Sequence, residues 1–219
     1  MTNFSRKWNN KSDNSKNGFR KRVKETIIHS PSLKVKLEKA EKLIKIQLLK
    51  LDTLFNKLKE NDSKILFNLN NQINKYDNKH AEIFANELVE IRKMLKIVSL
   101  SKYAFESILL RIETVKDVGD VVTILAPALS AVKNVEEIVI DVIPSSSKNF
   151  VEIIGVINDI FINTGQSNNI NYDFEIVNKD SENIIREALA LAQVNLNNKI
   201  PAIPQNLPEP ISKVLEVLN

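Results

Sequence analysis

Apolar positions in the first half of the chain recur every three or four residues. They fall at Leu33, Leu37, Ala40, Ile44, Leu48, Leu51, Phe55 and Leu58, a spacing that draws one stripe along one face of an α-helix. Lys34, Lys39, Lys42, Lys45, Lys50 and Lys57 take the flanks and back of that helix. The polar run Glu60-Asn61-Asp62-Ser63 predicts a turn. The pattern then restarts at Leu66, Leu69, Ile73, Tyr76, His80, Phe84, Leu88, Ile91, Leu95 and Val98, and Phe105, Ile108, Ile112 and Val115 extend it. A second helix unbroken from Asp62 to Val118 would be about 85 Å long at the helical rise. No proline or glycine interrupts Leu33–Val118, although the chain holds seven and four of them. Two long amphipathic helices joined by a short polar turn predict an antiparallel hairpin. His80, on the second stripe, reads as a partly buried packing residue.

Breakers mark the remainder. Ser32 is placed to cap the first helix. Gly119 and Pro127 loosen a helical context otherwise rich in valine and isoleucine, which predicts a hinge or a kink between packed helices. Pro144 with Ser145-Ser146-Ser147 ends the next helix, and another runs from about Lys148 to Phe161 with Phe150, Ile153, Ile154, Ile157, Ile160 and Phe161 on a short apolar face. Gly165 to Asn178 is an Asn-rich linker, followed by a helix capped by Ser181 and carrying Ile184, Ile185, Ala188, Leu191 and Ala192. KIPAIPQNLPEP, Lys199 to Pro210, holds four of the seven prolines. Such density predicts polyproline II, with Ile200 and Ile203 projecting on one side and Leu207 and Pro208 further along. This segment suits either a rigid linker or a strand that docks in a partner's groove.

The elements are all helical, which fits 6% aromatics and four glycines. Without cysteine, disulfide and thiolate chemistry are excluded. No apolar run approaches the roughly 18 residues of a membrane span, and the N-terminus is too polar for a signal peptide. The net charge of +4 conceals a gradient: residues 1–50 carry 14 Lys/Arg and 4 Asp/Glu, residues 119–219 carry 6 and 13. Residues 1–32 combine Arg6, Lys7, Lys11, Lys16, Arg20, Lys21, Arg22 and Lys24 with the isolated aromatics Phe4, Trp8 and Phe19. A basic arm of this kind adsorbs to anionic surfaces, lipid or nucleic acid. It lacks the repeated aromatic–basic interleaving of a single-strand platform. There is no glycine-rich phosphate loop and no metal-spaced histidine cluster, only His29 and His80. An enzyme is therefore not expected, nor any catalytic, cofactor or metal site.

Three long stretches carry a family resemblance. LKVKLEKAEKLIKIQLLKLD (Leu33 to Asp52), ANELVEIRKMLKI (Ala85 to Ile97) and RIETVKDVGDVVTILAPALSAVK (Arg111 to Lys133) resemble the core of archaeal ESCRT-III proteins of the CdvB type. The likeness spans roughly Leu33 to Phe161. It implies a self-assembling membrane-remodelling filament subunit, a homo- or hetero-polymer with paralogues, peripheral on the cytoplasmic face of the cell membrane at the division site. It implies that the hairpin opens and closes near Gly119 and Pro127 on polymerisation, and that the helix around Phe150–Phe161 folds back onto the hairpin in the closed form. At this place in the family the proline-rich tail resembles the motif that binds the MIT domain of a CdvC-like AAA ATPase, which would carry over to Ile200, Pro201, Ile203, Pro204, Leu207 and Pro208. Only nine residues follow Pro210, so the resemblance is to a short form without the winged helix of the longest CdvB proteins.

The expected organisation is thus a basic membrane-binding arm (1–32), an ESCRT-III-like helical core (33–161), a linker and short helix (162–198) and a proline-rich tail (199–219). Candidate membrane contacts are Phe4, Arg6, Lys7, Trp8, Arg20, Lys21, Arg22, Lys24, Lys34, Lys42 and Lys45. Two other readings remain: a passive coiled-coil scaffold or adaptor, and a protein that binds nucleic acid through its basic arm, with nucleic acid the less favoured partner.

Overall fold

The computed structural model describes residues 31–118, 121–140, 147–163, 174–204 and 207–218, with Val142 and Pro144 between. Six α-helices are described: α1 Pro31–Asn74, α2 Asn78–Val118, α3 Val121–Ile140, α4 Ser147–Asn163, α5 Phe174–Lys199 and α6 Glu209–Leu215, closed by a 3-10 turn over Glu216–Leu218. The fold is all-α, and its frame is the antiparallel α1–α2 hairpin. Proline opens α1, where its missing N–H costs nothing, so Ser32 lies inside the first turn rather than at the cap.

The hairpin turns later than the polar run suggests. α1 continues through Glu60-Asn61-Asp62-Ser63 to Asn74, so each arm is about 60–65 Å long and no 85 Å rod exists. Glu60 and Lys64 pair across one helical turn at 2.6 Å, and Asp62 points inward, so the run is a stretch of helix with one buried carboxylate. The actual break is a Schellman-type cap. The N–H of Asp77 bonds to the carbonyl of Gln72 and that of Tyr76 to Ile73, both at 3.0 Å, with Tyr76 in the left-handed region at φ 58°. Tyr76 is consequently 91% exposed. His80 is also exposed and does not pack in the core; its backbone N–H and ring bond to Asp77, at 3.2 and 2.6 Å. Those bonds, the backbone one first, hold the Asp77 carboxyl below the usual aspartate range. Ala81 and Ala85 take the buried positions instead.

The first stripe packs as its spacing predicts: Leu33, Leu37, Ala40, Ile44, Leu51, Phe55 and Leu58 are buried. α2 is the hub, packed by α1, α3, α5 and α6, while α3 touches α4 and α5, and α4 also lies on α1. Having several neighbours explains why Val98, Ser99, Leu100 and Ser101 are all buried in succession, which a single partner helix cannot do. The serines are satisfied locally: Ser101 bonds back to the Ile97 carbonyl at 2.7 Å, and Asn195 of α5 donates to Ser99 at 3.4 Å. α3 runs through a buried Pro127 to Ile140. α4 is folded back onto the hairpin by Phe150, Ile153, Ile157 and Ile160. The Phe105 and Phe150 rings lie 5.4 Å apart, a contact that contributes about 0.5–1.5 kcal/mol beyond its buried area. α5 begins at Phe174, before the expected linker ends, and Ser181 is a buried interior residue bonded by Asn134 at 3.3 Å, not a cap.

Candidate functional site

Two surfaces concentrate chemistry. The first is the outer face of α1. Packing on α2 and α4 takes its leucine stripe, which leaves the opposite side to solvent. Val35, Ile46 and Leu49 lie there, 61%, 38% and 67% exposed, and Lys34, Lys39, Lys42, Lys45 and Lys50 are exposed around them. The lysines are loosely held. Lys34 reaches Glu38 at 3.9 Å and Lys39 reaches Glu152 of α4 at 3.8 Å. Lys45 bonds to Glu41 and approaches Glu113 at 3.9 Å. The hydrogen bond that Lys45 donates to Glu41 outweighs desolvation and raises the Lys45 pKa further above the physiological range. Exposed pairs of this type contribute little to stability and leave the charge accessible. The face therefore presents a broken apolar line inside a cationic rim.

The second surface is built around one guanidinium. Asp62 of α1 is fully buried and Arg92 of α2 nearly so. Arg92 Nε donates to Asp62 Oδ1 at 2.8 Å and Nη2 to Oδ2 at 3.3 Å, a fork that satisfies both carboxylate oxygens. The same Nη2 donates to the carbonyl of Pro201 at 2.8 Å. One cation thus ties both arms of the hairpin to the proline-rich tail. Nearby, Lys199 stands 5.6 Å from the centre of the Phe55 ring. Beyond them Lys102 bonds to Asp52 at 2.5 Å. Burial lowers the Lys102 pKa, but the bond and charge of Asp52 overcome it, and the net shift is upward. For Glu106, burial dominates and raises the carboxyl above the glutamate range against the pull of Lys102.

The tail lies along this region. Residues 201–204 and 207–208 are non-helical, as the prolines require. Ile200, Ile203 and Leu207 are partly buried against the core, whereas Pro201 and Pro204 are exposed and Pro208 is half-buried. Pro208 stands before α6 in an extended conformation at φ −55°, ψ 145°, and α6 seats Ile211 and Leu215 on the core. An open cleft of about 780 Å³ is lined by Arg92, Lys93 and Lys96 of α2, Gln193 of α5, and Ile200, Ile203 and Leu207 of the tail.

Of the sequence-derived candidates, Lys34, Lys42 and Lys45 share the outer face of α1, and the six tail residues share the strand beside Arg92. Phe4, Arg6, Lys7, Trp8, Arg20, Lys21, Arg22, Lys24 and Gly119 lie outside the described residues. Asp62 and Arg92 were missed, although a signal existed. Asp62 sits four residues from Leu58 and from Leu66, and Arg92 sits between Leu88 and Leu95. Each is a lone charge in a stripe position, and the two are opposite in sign. Among the described residues no helix is long and apolar enough to cross a membrane, and no cluster of acidic, histidine or cysteine side chains could hold a metal ion.

The described residues thus form a long helical hairpin with shorter helices folded along it and a basic outer face. The chain is 28% identical over 174 residues to cell division protein B1 of Sulfolobus acidocaldarius, covering 78% of this chain and 80% of that protein. It is 26% identical over 193 residues to cell division protein B of the same organism, covering 85% and 74%. No protein-family model and no solved structure matches it. Over roughly four fifths of its length the chain is thus similar to CdvB-type cell division proteins.

Proposed function

We propose that this protein is a filament subunit that remodels membrane during cell division, acting from the cytoplasmic side of the cell membrane. It polymerises with copies of itself or with paralogues, adsorbs through the basic arm 1–32 and the outer face of α1, and is removed from the polymer by an AAA ATPase whose MIT domain takes Lys199–Pro210. The names of the two relatives described above support the cellular process. The observation that carries the membrane reading is the α1 face, where Val35, Ile46 and Leu49 stand exposed among lysines. A scaffold helix that needs only solvent on that side has no use for the three apolar residues. At an anionic bilayer they enter the interface while each nearby lysine adds about 1 kcal/mol of attraction. A bend near Gly119 and Pro127 would let the hairpin change shape on assembly.

The test is co-pelleting with anionic and neutral vesicles, followed by negative-stain microscopy. The parent is expected to pellet with anionic vesicles and form filaments on them. Changing Arg20, Lys21, Arg22 and Lys24 to Glu, or Val35, Ile46 and Leu49 to Ser, is expected to weaken binding about tenfold or more, because each set removes several interfacial contacts. Equal pelleting of parent and both variants rejects the membrane reading. Salt-sensitive binding to DNA without vesicle binding or filaments transfers the basic arm to nucleic acid.

A further inference from the structure

The closed end of the hairpin carries large side chains that the fold does not use. Tyr76 holds a left-handed backbone, φ 58°, at the cap of α1, with its ring 91% exposed. A cap of this type is usually made by glycine, because a Cβ strains the left-handed conformation. Packing of the ring does not offset that strain. An outlier kept without a return inside the fold points to a role outside it. Lys75 and Lys79 are exposed on either side of Tyr76, and the carboxylate between them, Asp77, is bonded to His80.

Phe67 is the second observation. It is 66% exposed and stands eighteen residues after Leu49, which is five whole turns of α-helix. Val35, Ile46, Leu49 and Phe67 therefore fall within about 60° of one another around the axis of α1, on the side away from α2. Their line runs about 48 Å, to within about 10 Å of the end of the helix. α4 lies on α1 near Lys36 and Lys39, at the opposite end from Phe67. Lys64, one turn before Phe67, is also exposed. Ile83 of α2 gives the contrast. It is 60% exposed, but it lies midway between the buried Ala81 and Ala85, so it points to the other side of the hairpin.

We propose that the hairpin tip is a second membrane contact. Phe67 and Tyr76 enter the interface of an anionic bilayer, flanked by Lys64, Lys75 and Lys79, and α1 lies lengthwise on the surface with apolar anchors near both its ends. The inference rests on the membrane reading of the α1 face and adds the site that fixes the tilt of the hairpin. A phenol ring suits the interface, its apolar body among acyl chains and its hydroxyl among headgroups. Lysines beside it meet lipid phosphates and stay hydrated. A pocket on a second copy would instead strip water from those cations, which is costly without carboxylates to receive them.

The test uses the full chain with Trp8→Phe, combined with Tyr76→Trp or Phe67→Trp, so that the tip carries the one indole. Each protein is titrated with anionic and with neutral phospholipid vesicles, with and without brominated acyl chains. Emission is expected to shift to the blue on anionic vesicles and to be quenched by the bromines. The double variant Phe67→Ser with Tyr76→Gly is expected to bind anionic vesicles about tenfold more weakly, since two interfacial rings are lost, with no fall in thermal midpoint. Ile83→Ser is expected to bind as the parent does. Unshifted, unquenched emission on vesicles that the chain does bind, with parent-like affinity in the double variant, overturns the tip contact and leaves the reading of the α1 face standing. A parent chain that binds no anionic vesicle overturns both. Equal weakening by Ile83→Ser overturns the lengthwise orientation. A blue shift that appears without vesicles and grows with protein concentration assigns the tip to a second copy and overturns the proposal.

Discussion

Asp62 and Tyr76 show how single residues set the hairpin. Asp62 is a carboxylate without solvent exposure whose tolerance depends on Arg92. Asp62→Ala strands the guanidinium between two helices, and removing one partner of a buried pair costs about 3–5 kcal/mol. Replacing both, Asp62→Leu with Arg92→Met, is expected to restore most of that loss. Urea denaturation followed by circular dichroism checks both values, and an Asp62→Ala midpoint equal to the parent's would show that Asp62 is not the residue that holds Arg92. Tyr76 holds a positive φ with its ring in solvent. A left-handed residue with a Cβ is strained by about 1–2 kcal/mol, and glycine recovers part of this after its own entropic cost. Tyr76→Gly is expected to stabilise the chain by up to about 1 kcal/mol; a loss of stability would mean the ring contributes despite its exposure.

At the scale of elements, α4 and α5 cover the hairpin. α4 covers α1 and α3 with an apolar face, and α5 bridges α2 and α3. Both connect to the hairpin through α3, which begins three residues after α2 ends. Deleting Lys148–Asn219 removes that cover and exposes Phe105, Ile44 and their neighbours to a second copy. The truncated chain is expected to sediment as polymer where the full chain does not, and microscopy should show ordered filaments rather than amorphous aggregate. A truncated form no more assembled than the full chain would remove autoinhibition from the account. Pro127 carries a cost here of about 3 kcal/mol within a helix interior, offset by the burial of α3 on three other helices.

For the whole molecule, the charge gradient bears on the proposed adsorption to membrane. Residues 1–50 hold 14 basic and 4 acidic side chains, residues 119–219 hold 6 and 13. Adsorption to anionic vesicles is expected to fall several-fold between about 50 mM and 500 mM salt, as the screening length shortens to a few ångströms. A residual term should persist, because insertion of Val35, Ile46 and Leu49 is not screened; binding indifferent to salt would remove the lysines from the mechanism. The exposed ion pairs Lys39–Glu152 and Lys34–Glu38 weaken over the same range, with little effect on stability.

The all-α class, the hairpin, the buried stripe from Leu33 to Leu58 and the short helix around Phe150 were legible in the chain itself, because each rests on a 3.6-residue spacing that a single apolar face imposes. The turn was not. A polar run resembles a turn whenever its charged residues could face water, and only a partner on the opposite arm, Arg92, makes Asp62 an interior residue. The run Val98–Ser101 was illegible for the same reason, since burial on all sides follows from how many helices surround α2 and erases periodicity. Proline chemistry keeps residues 201–204 and 207–208 out of a helix, but Glu209 and Pro210, expected in the extended run, open α6, because proline is tolerated in a helix's first turn. Whether that tail points to solvent or lies on the hairpin was decided in three dimensions, by a carbonyl at residue 201 meeting a guanidinium at residue 92.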